Sequence, residues 1–200
     1  MQNKAYDPFV SDPKQAAILA SAFTAFRLYG FRRTSMEDIA RGAGMSRAAV
    51  YLHYRNKEDI LRALTQDYYD QAATAISTVL ARPLPATDAL TAAFEAQAGP
   101  VFEAMLSSPH GQELLDTKYA SSADIAREGE ARMAALYADW LRKEQAADRI
   151  SLTPFGDDPA ALATTMMAAL HGVKAAMPDY ASYRTSVRRL AQLFGAALSR

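Results

Sequence analysis

Residues 34–57, Thr-Ser-Met-Glu-Asp-Ile-Ala-Arg-Gly-Ala-Gly-Met-Ser-Arg-Ala-Ala-Val-Tyr-Leu-His-Tyr-Arg-Asn-Lys, constrain the fold more than any other stretch of this chain. Thr34 stands three positions before Glu37, the spacing of a capping box, in which hydroxyl and carboxylate each satisfy a backbone N–H that has no helical partner. Met36, Ile39, Ala40 and Ala43 then share one face of a short helix. Gly44 tolerates the positive φ that a tight turn needs. Ser46 can cap the next element, in which Val50 and Tyr54 face inward. Asn56 caps a third start, with Asp59 at the matching N3 position. Three starts this close together predict two short helices, a turn and the opening of a longer helix. That is a helix-turn-helix, and its second helix, 46–54, is shaped to lie in the major groove of duplex DNA.

The charge distribution agrees. Net charge is zero over 200 residues. Between Arg27 and Lys57, however, seven basic residues (Arg27, Arg32, Arg33, Arg41, Arg47, Arg55, Lys57) face two acidic ones (Glu37, Asp38), a local excess of five positive charges. A basic head on an acidic remainder is the footprint of a DNA reader with a second, non-DNA-binding half.

Half the residues are hydrophobic, enough for a sizeable core, and there is no cysteine. That excludes disulfides and thiol catalysis. No basic-then-apolar leader and no membrane-length apolar run is evident, so the expectation is a soluble cytoplasmic protein with no membrane partner. Helical periodicity recurs throughout. Pro13 to Tyr29 carries Ile18, Leu19, Ala22, Phe23 and Phe26 at spacings of three and four, and Gly30 ends it. A long helix is predicted from Lys57 to about Ala81, before Pro83 and Pro85. Further helices are predicted over Thr87 to Leu106 (broken or kinked at Gly99-Pro100), Pro109 to Thr117, Ser121 to Ala147, Asp157 to Ala176 and Asp179 to Ser199. The fold expected is all-α, about nine helices. It has a flexible arm (1–12), a helix-turn-helix domain (13–56) and a larger C-terminal domain (57–200) entered by the bridging helix from Lys57.

Enzyme chemistry finds little support. His53, His110 and His171 are far apart in sequence and no metal-ligand spacing exists, so neither metal nor cofactor is expected. Gly42-Ala-Gly44 opens like a dinucleotide fingerprint, but no strand precedes it. Gly44 to Ala48 nearly spells a nucleophile elbow, yet a helix stands where that motif needs a strand. Asp157 and Asp158 are read as carboxylates at a helix start.

Thr34 to Lys57 resembles the signature of the TetR family of bacterial transcriptional regulators. The resemblance lies in Thr34-Ser35, Ile39-Ala40, Ala43-Gly44-Met45-Ser46, Val50-Tyr51-Leu52-His53-Tyr54 and Lys57, with Tyr29-Gly30-Phe31 ending the preceding helix. It covers about residues 14 to 64. Ala48-Ala49 departs from a commoner Gly-Thr pair. By motif position the DNA-binding set is Arg32, Arg33, Thr34, Ser35, Ser46, Arg47, Ala48, Ala49, Tyr51, Leu52, His53 and Lys57. Arg47 can donate to guanine O6 and N7, and the Ala48 or Ala49 methyl can meet a thymine methyl. The resemblance places Tyr51, His53 and Lys57 on phosphates. Thr34 and Ser35 are expected to add phosphate contacts, and Arg32 and Arg33 to reach an adjacent backbone or minor groove.

A single recognition helix reads few base pairs, so a homodimer on a palindromic operator is expected. The stripes Leu162, Met166, Ala169, Leu170, Val173 and Val187, Leu190, Ala191, Phe194, Leu198 suit a four-helix interface, or the core of one chain. The resemblance further implies a small-molecule effector in the C-terminal helices. Its candidate lining is Phe94, Phe102, Met105, Tyr119, Met133, Tyr137, Trp140 and Met167, which suits an apolar or aromatic ligand, although about half that set is expected to be plain core. The function expected is a ligand-released repressor. The alternatives are an activator or effector-independent regulator and, from another class, an all-α lipid-binding module or enzyme.

Overall fold

The computed structural model describes residues 7–114, 121–176 and 179–199. The labelled helices are α1 Pro13–Tyr29, α2 Met36–Gly42, α3 Arg47–Tyr51, α4 Lys57–Leu80, α5 Ala86–Leu106, α6 Ala123–Ala146, α7 Pro159–Ala176 and α8 Tyr180–Leu198. Residues 111–114 form a ninth helical segment, and Thr153–Phe155 make a 3-10 turn. Among the described residues there is no strand. The expected all-α architecture is what is observed.

The chain divides into two compact units. One holds the described residues up to Gln71 together with those of Pro100–Arg127; the other holds Ala72–Gly99 with those of Glu128–Arg200. The division falls inside α4, α5 and α6.

In the first unit α1 begins where Asp12 accepts the Lys14 N–H at 2.9 Å and Pro13 occupies N1, a position that needs no donor. Its inner face buries Ile18, Leu19, Ala22, Phe23 and Phe26. Phe31, just past the helix, packs its ring 5.0 Å from that of Phe26. Ile60, Leu61 and Leu64 of α4 are buried too. The described end of the N-terminal arm is fastened to α4. Buried Asp67 accepts the Phe9 N–H at 2.6 Å and the Gln71 amide at 2.7 Å, and the same amide nitrogen donates to the Asp7 carbonyl at 3.0 Å. Farther along α4, Arg62 grips Asp124 with two hydrogen bonds of 2.9 and 2.6 Å and donates to the Ser121 carbonyl at 2.8 Å.

In the second unit Phe94 meets Tyr137 edge-on at 5.6 Å and Phe194 at 6.5 Å. The Tyr137 hydroxyl donates to Gln97 Oε1 at 3.0 Å, so this buried polar tip is satisfied. The expected kink in α5 is present. Gly99 has φ 63° and Pro100 follows, so the ladder loses a donor where the backbone leaves the helical region. Asp158 caps α7 by accepting the Ala160 and Ala161 N–H groups, each at 3.0 Å. Asp157 lies outside the helix with φ 57° and accepts from Gln145 at 3.0 Å, a correction to its expected place at the helix start.

The apolar stripes of α7 and α8 divide between buried and half-buried positions. Leu162, Met166, Leu170, Val187, Ala191 and Leu198 are each no more than 4% exposed within a single chain. They have no surface to offer a second copy. Ala169, Val173, Leu190 and Phe194 are half-buried. The six buried residues belong to the unit's own core, one of the two places expected for the stripes, because an amphipathic helix spends its apolar face on the nearest partner. The outward face of α8 instead carries Leu193, 67% exposed.

Candidate nucleic-acid interface

α2 and α3 form the expected helix-turn-helix, with one register change at the start. The N-cap of α2 is Ser35, not Thr34, and Asp38, not Glu37, closes the capping box. Ser35 Oγ accepts the Asp38 N–H at 3.2 Å while the Asp38 carboxylate accepts the Ser35 N–H at 3.0 Å and its hydroxyl at 2.6 Å. Those Ser35 hydrogen bonds hold the Asp38 carboxyl below its usual range, and Arg41 pairs with it. Thr34 is 3% exposed and its hydroxyl donates to the Gly30 carbonyl at 2.8 Å. The Thr34 side chain is therefore turned away from any phosphate. The Ser35 hydroxyl is already spent on a carboxylate that would repel one.

The turn and second helix match expectation closely. Gly44 has φ 67° and open space around it, so positive φ explains its place there. Ser46 caps α3 by accepting the Ala49 N–H at 3.1 Å. Val50 is fully buried and seats α3. Arg47, Ala48 and Tyr51 are exposed and Ala49 is half-buried. α3 is shorter than the 46–54 expected. It stops at Tyr51, and the following residues turn away with Leu52 85% exposed and Tyr54 half-buried. Burial is the largest cause that pushes the Tyr54 hydroxyl pKa up, followed by Asp12 and Asp67. Asn56 accepts the Asp59 N–H at 2.7 Å, the third cap expected.

Two exposed side chains of α3 form a pair. Arg47 Nη2 donates to the Tyr51 hydroxyl at 3.3 Å, and the guanidinium carbon lies 5.4 Å from the Tyr51 ring centroid. The pairing pushes the Arg47 pKa further up, chiefly through the hydroxyl. The guanidinium is thus a permanent cation laid along an aromatic face, with its fork still open to solvent.

Two residues of the predicted phosphate set, His53 and Lys57, meet groups of the protein itself. His53 Nδ1 is 3.6 Å from the Asp12 carboxylate, which joins the end of the recognition element to the cap of α1. Lys57 Nζ is surrounded by the carbonyl oxygens of Phe31, Arg32 and Thr34. The spacing of one side chain to its neighbours cannot reveal contacts made 23 to 26 residues upstream. Arg32 and Arg33 are exposed and make no ion pair with described residues. Arg55, outside the predicted set, is 90% exposed at its side chain and bonded to Asp59 at 3.0 Å.

The predicted effector residues are divided between the two units. Phe102 and Met105 belong to the first unit; Phe94, Met133, Tyr137, Trp140 and Met167 belong to the second; Tyr119 lies outside the described residues. All but Met167 of the described ones are at most 5% exposed. Met105 borders a cavity of about 20 Å³ with Phe23, Leu61, Leu64, Thr65, Tyr68, Val101 and Leu114. That is room for a water molecule and not for a ligand. Gln97 links Tyr137 to the Met167 sulfur, 3.7 Å from its amide nitrogen. Among the described residues no group of three or more His, Cys, Asp or Glu side chains could hold a metal ion, and no helix is long and apolar enough to cross a membrane.

Comparison with known proteins follows this geometry. The family model of bacterial regulatory proteins, tetR family, matches residues 18–64, which span most of α1, all of α2 and α3 and the start of α4. Over 60 residues the chain is 37% identical to the HTH-type transcriptional regulator YfiR of Bacillus subtilis, covering 30% of this chain and 29% of that one. A transcriptional regulator from Cytophaga hutchinsonii has the same fold, with a TM-score of 0.78 at 17% identity over 94% of this chain and all of that one. SmeT, the repressor of a multidrug efflux pump in Stenotrophomonas maltophilia, superposes with a TM-score of 0.70 at 19% identity, covering 94% and 93% of the two chains. SmeT is also known as a complex with triclosan. The sequence likeness is confined to the head; beyond it the likeness is one of fold.

Proposed function

We propose that this chain, whose residues 18–64 match the family model of bacterial regulatory proteins, tetR family, is a homodimeric repressor that reads a palindromic operator and leaves it when a small apolar or aromatic ligand binds. One observation carries the DNA reading: α3 buries Val50 and turns Arg47, Ala48 and Tyr51 outward, with Leu52 just beyond. Arg47 is the base reader, its fork matched to guanine O6 and N7. Ala48 lets the backbone approach, and its methyl, like the Leu52 side chain, suits a thymine methyl. Arg32 and Arg33 meet phosphates, which position the head without reading sequence.

Two copies are needed because five residues of helix span few base pairs. The outward face of α8, with Leu193 67% exposed, supports a twofold contact there. The triclosan complex of SmeT supports an aromatic effector here. Phe94 and Tyr137, with Gln97 beside them, offer an aromatic wall and a polar handle. These side chains are closed on one another, so the effector favours a conformation with that packing opened. It releases DNA only to the extent that this conformation fits the operator poorly.

Selection of bound duplexes from a random library tests the reading. A twofold-symmetric consensus, with half-sites one helical turn apart, is the expected result. An asymmetric consensus would remove the dimer, and no enrichment at low salt would remove DNA recognition.

A further inference from the structure

We propose that Lys57 serves DNA binding without touching DNA: it is a positioning residue that fastens the turn carrying Arg32 and Arg33. The proposal rests on the DNA-binding reading above. An ammonium group has three protons to donate. Lys57 Nζ lies 2.8 Å from the Phe31 carbonyl oxygen, 3.1 Å from that of Arg32 and 3.2 Å from that of Thr34, so each proton has an acceptor. The same nitrogen stands 4.7 Å from the Phe31 ring centroid, within cation–π range. Phe31 is itself buried against Phe26, so the clamp is rooted in the α1 core.

Besides Lys57, the turn between α1 and α2 is held from outside by Glu113, which accepts the Arg32 N–H at 3.4 Å. Thr34 closes it from within, through its hydroxyl on the Gly30 carbonyl at 2.8 Å and its N–H on the same oxygen at 3.2 Å. The Phe31, Arg32 and Thr34 carbonyls converge on one point, where a single cation gathers them. Moving that cation to a phosphate would exchange three charge-assisted hydrogen bonds for one contact in water, which favours staying. Arg32 and Arg33 leave the same turn as exposed charges. They are the groups that meet phosphate, and Lys57 sets the direction from which they do so.

The test uses the full-length protein and a short duplex of mixed sequence, titrated over a salt series. Lys57→Met keeps the stem and removes the charge; Arg33→Met does the same at a proposed phosphate contact. Arg33→Met should flatten the slope of log K against log salt by about 0.9 per head, one phosphate's worth of released counterion. Lys57→Met should weaken binding by one constant factor at every salt and leave the slope unchanged. Combined with Arg33→Met, its loss should be smaller than the product of the two, since one residue acts through the other. Lys57→Arg, which still donates to the carbonyls, should restore most of the affinity.

A second arm needs no DNA. Trypsin should cut Lys57→Met after Arg32 and Arg33 at least about tenfold faster than wild type, the opening expected if the three lost hydrogen bonds together were worth no more than one charged bond. Lys57→Arg should be cut like wild type. A slope flattened by Lys57→Met as much as by Arg33→Met, with cleavage unchanged, overturns the proposal. Should the wild-type protein bind no duplex at low salt, the DNA reading falls, while the cleavage rates still decide whether Lys57 holds the turn.

Discussion

Arg47→Ala removes the exposed side chain to which base readout is assigned in the proposed function. Arg47 is the first residue of α3, behind the Ser46 cap, so its stem leaves from a turn whose backbone is already ordered. Its guanidinium rests along Tyr51, which limits the rotamers it must give up on binding. The contact assigned to it is one bidentate pair per head, about five- to hundredfold in discrimination between right and wrong base. Two heads on a symmetric site multiply that, to about 25-fold at the least. A scrambled duplex offers only phosphates, so its affinity should fall far less. Arg47→Lys sharpens the contrast, because it keeps the charge and loses the fork. Titration of the selected consensus and of its scrambled version measures both losses. A parallel series replaces each guanine of a half-site by 7-deazaguanine, which lacks N7. Wild type should lose affinity at one position, and Arg47→Ala should be indifferent there. Equal losses on the consensus and scrambled duplexes, or an undiminished response to 7-deazaguanine, would refute the assignment.

Val50→Ala deletes two methyl-sized groups from the buried seat of α3, for about 2 kcal/mol once the cavity is included. At this chain length that is a fall of roughly 5 °C in Tm, read by thermal melting, and an unchanged Tm would mean that α3 is held by something else. Asp124→Asn breaks the two-pronged bond from Arg62. That bond, first among the causes, holds the Asp124 carboxyl well below its usual range, so the stabilisation it reports is present at neutral pH and fades as pH falls through the lowered value. The Tm gap between wild type and Asp124→Asn should therefore be open at pH 7 and narrow steadily below about pH 4, and a gap independent of pH would sink the linkage. Leu193→Glu puts a charge on the outward face of α8 and should shift sedimentation from dimer to monomer with Tm little changed in dilute monomer; a dimer that persists would place the interface elsewhere.

The helix limits were legible where local chemistry settles them. Pro13 after Asp12 and Gly30 after Tyr29 bound α1 as read from sequence, because proline at N1 and glycine past the last turn act without tertiary help. Gly99-Pro100 announced its kink for the same reason. The start of α2 was ambiguous in a definite way. Thr34 with Glu37 and Ser35 with Asp38 are both hydroxyl-to-carboxylate pairs three apart, so two capping registers fit the same letters. Burial breaks the tie: Thr34 turns its hydroxyl to the Gly30 carbonyl, which leaves Ser35 at the boundary. The end of α3 was hidden because Tyr51, Leu52 and Tyr54 continue an apolar pattern past the point where the chain turns.

The candidate site divides along the same line. Arg47 and Tyr51 were readable because an exposed side chain one turn into a capped helix keeps the direction its position dictates. The carbonyl contacts of Lys57 could not be read from sequence, because they form only where α1 and α4 come together. His53 likewise meets Asp12 across the head. The α7 and α8 stripes show the limit of periodicity. A spacing of three and four identifies an apolar face and says nothing of its partner. A second copy can compete for such a face only if its own chain leaves it bare, and Leu162, Met166, Val187 and Ala191 are already buried. What remains for a partner is the weaker opposite face, where Leu193 stands among shorter and charged side chains. An interface built there would rest on less apolar area than the stripes suggested, so its dissociation should be sensitive to a single charge, and it is at Leu193 that one substitution separates dimer formation from the stability of the fold.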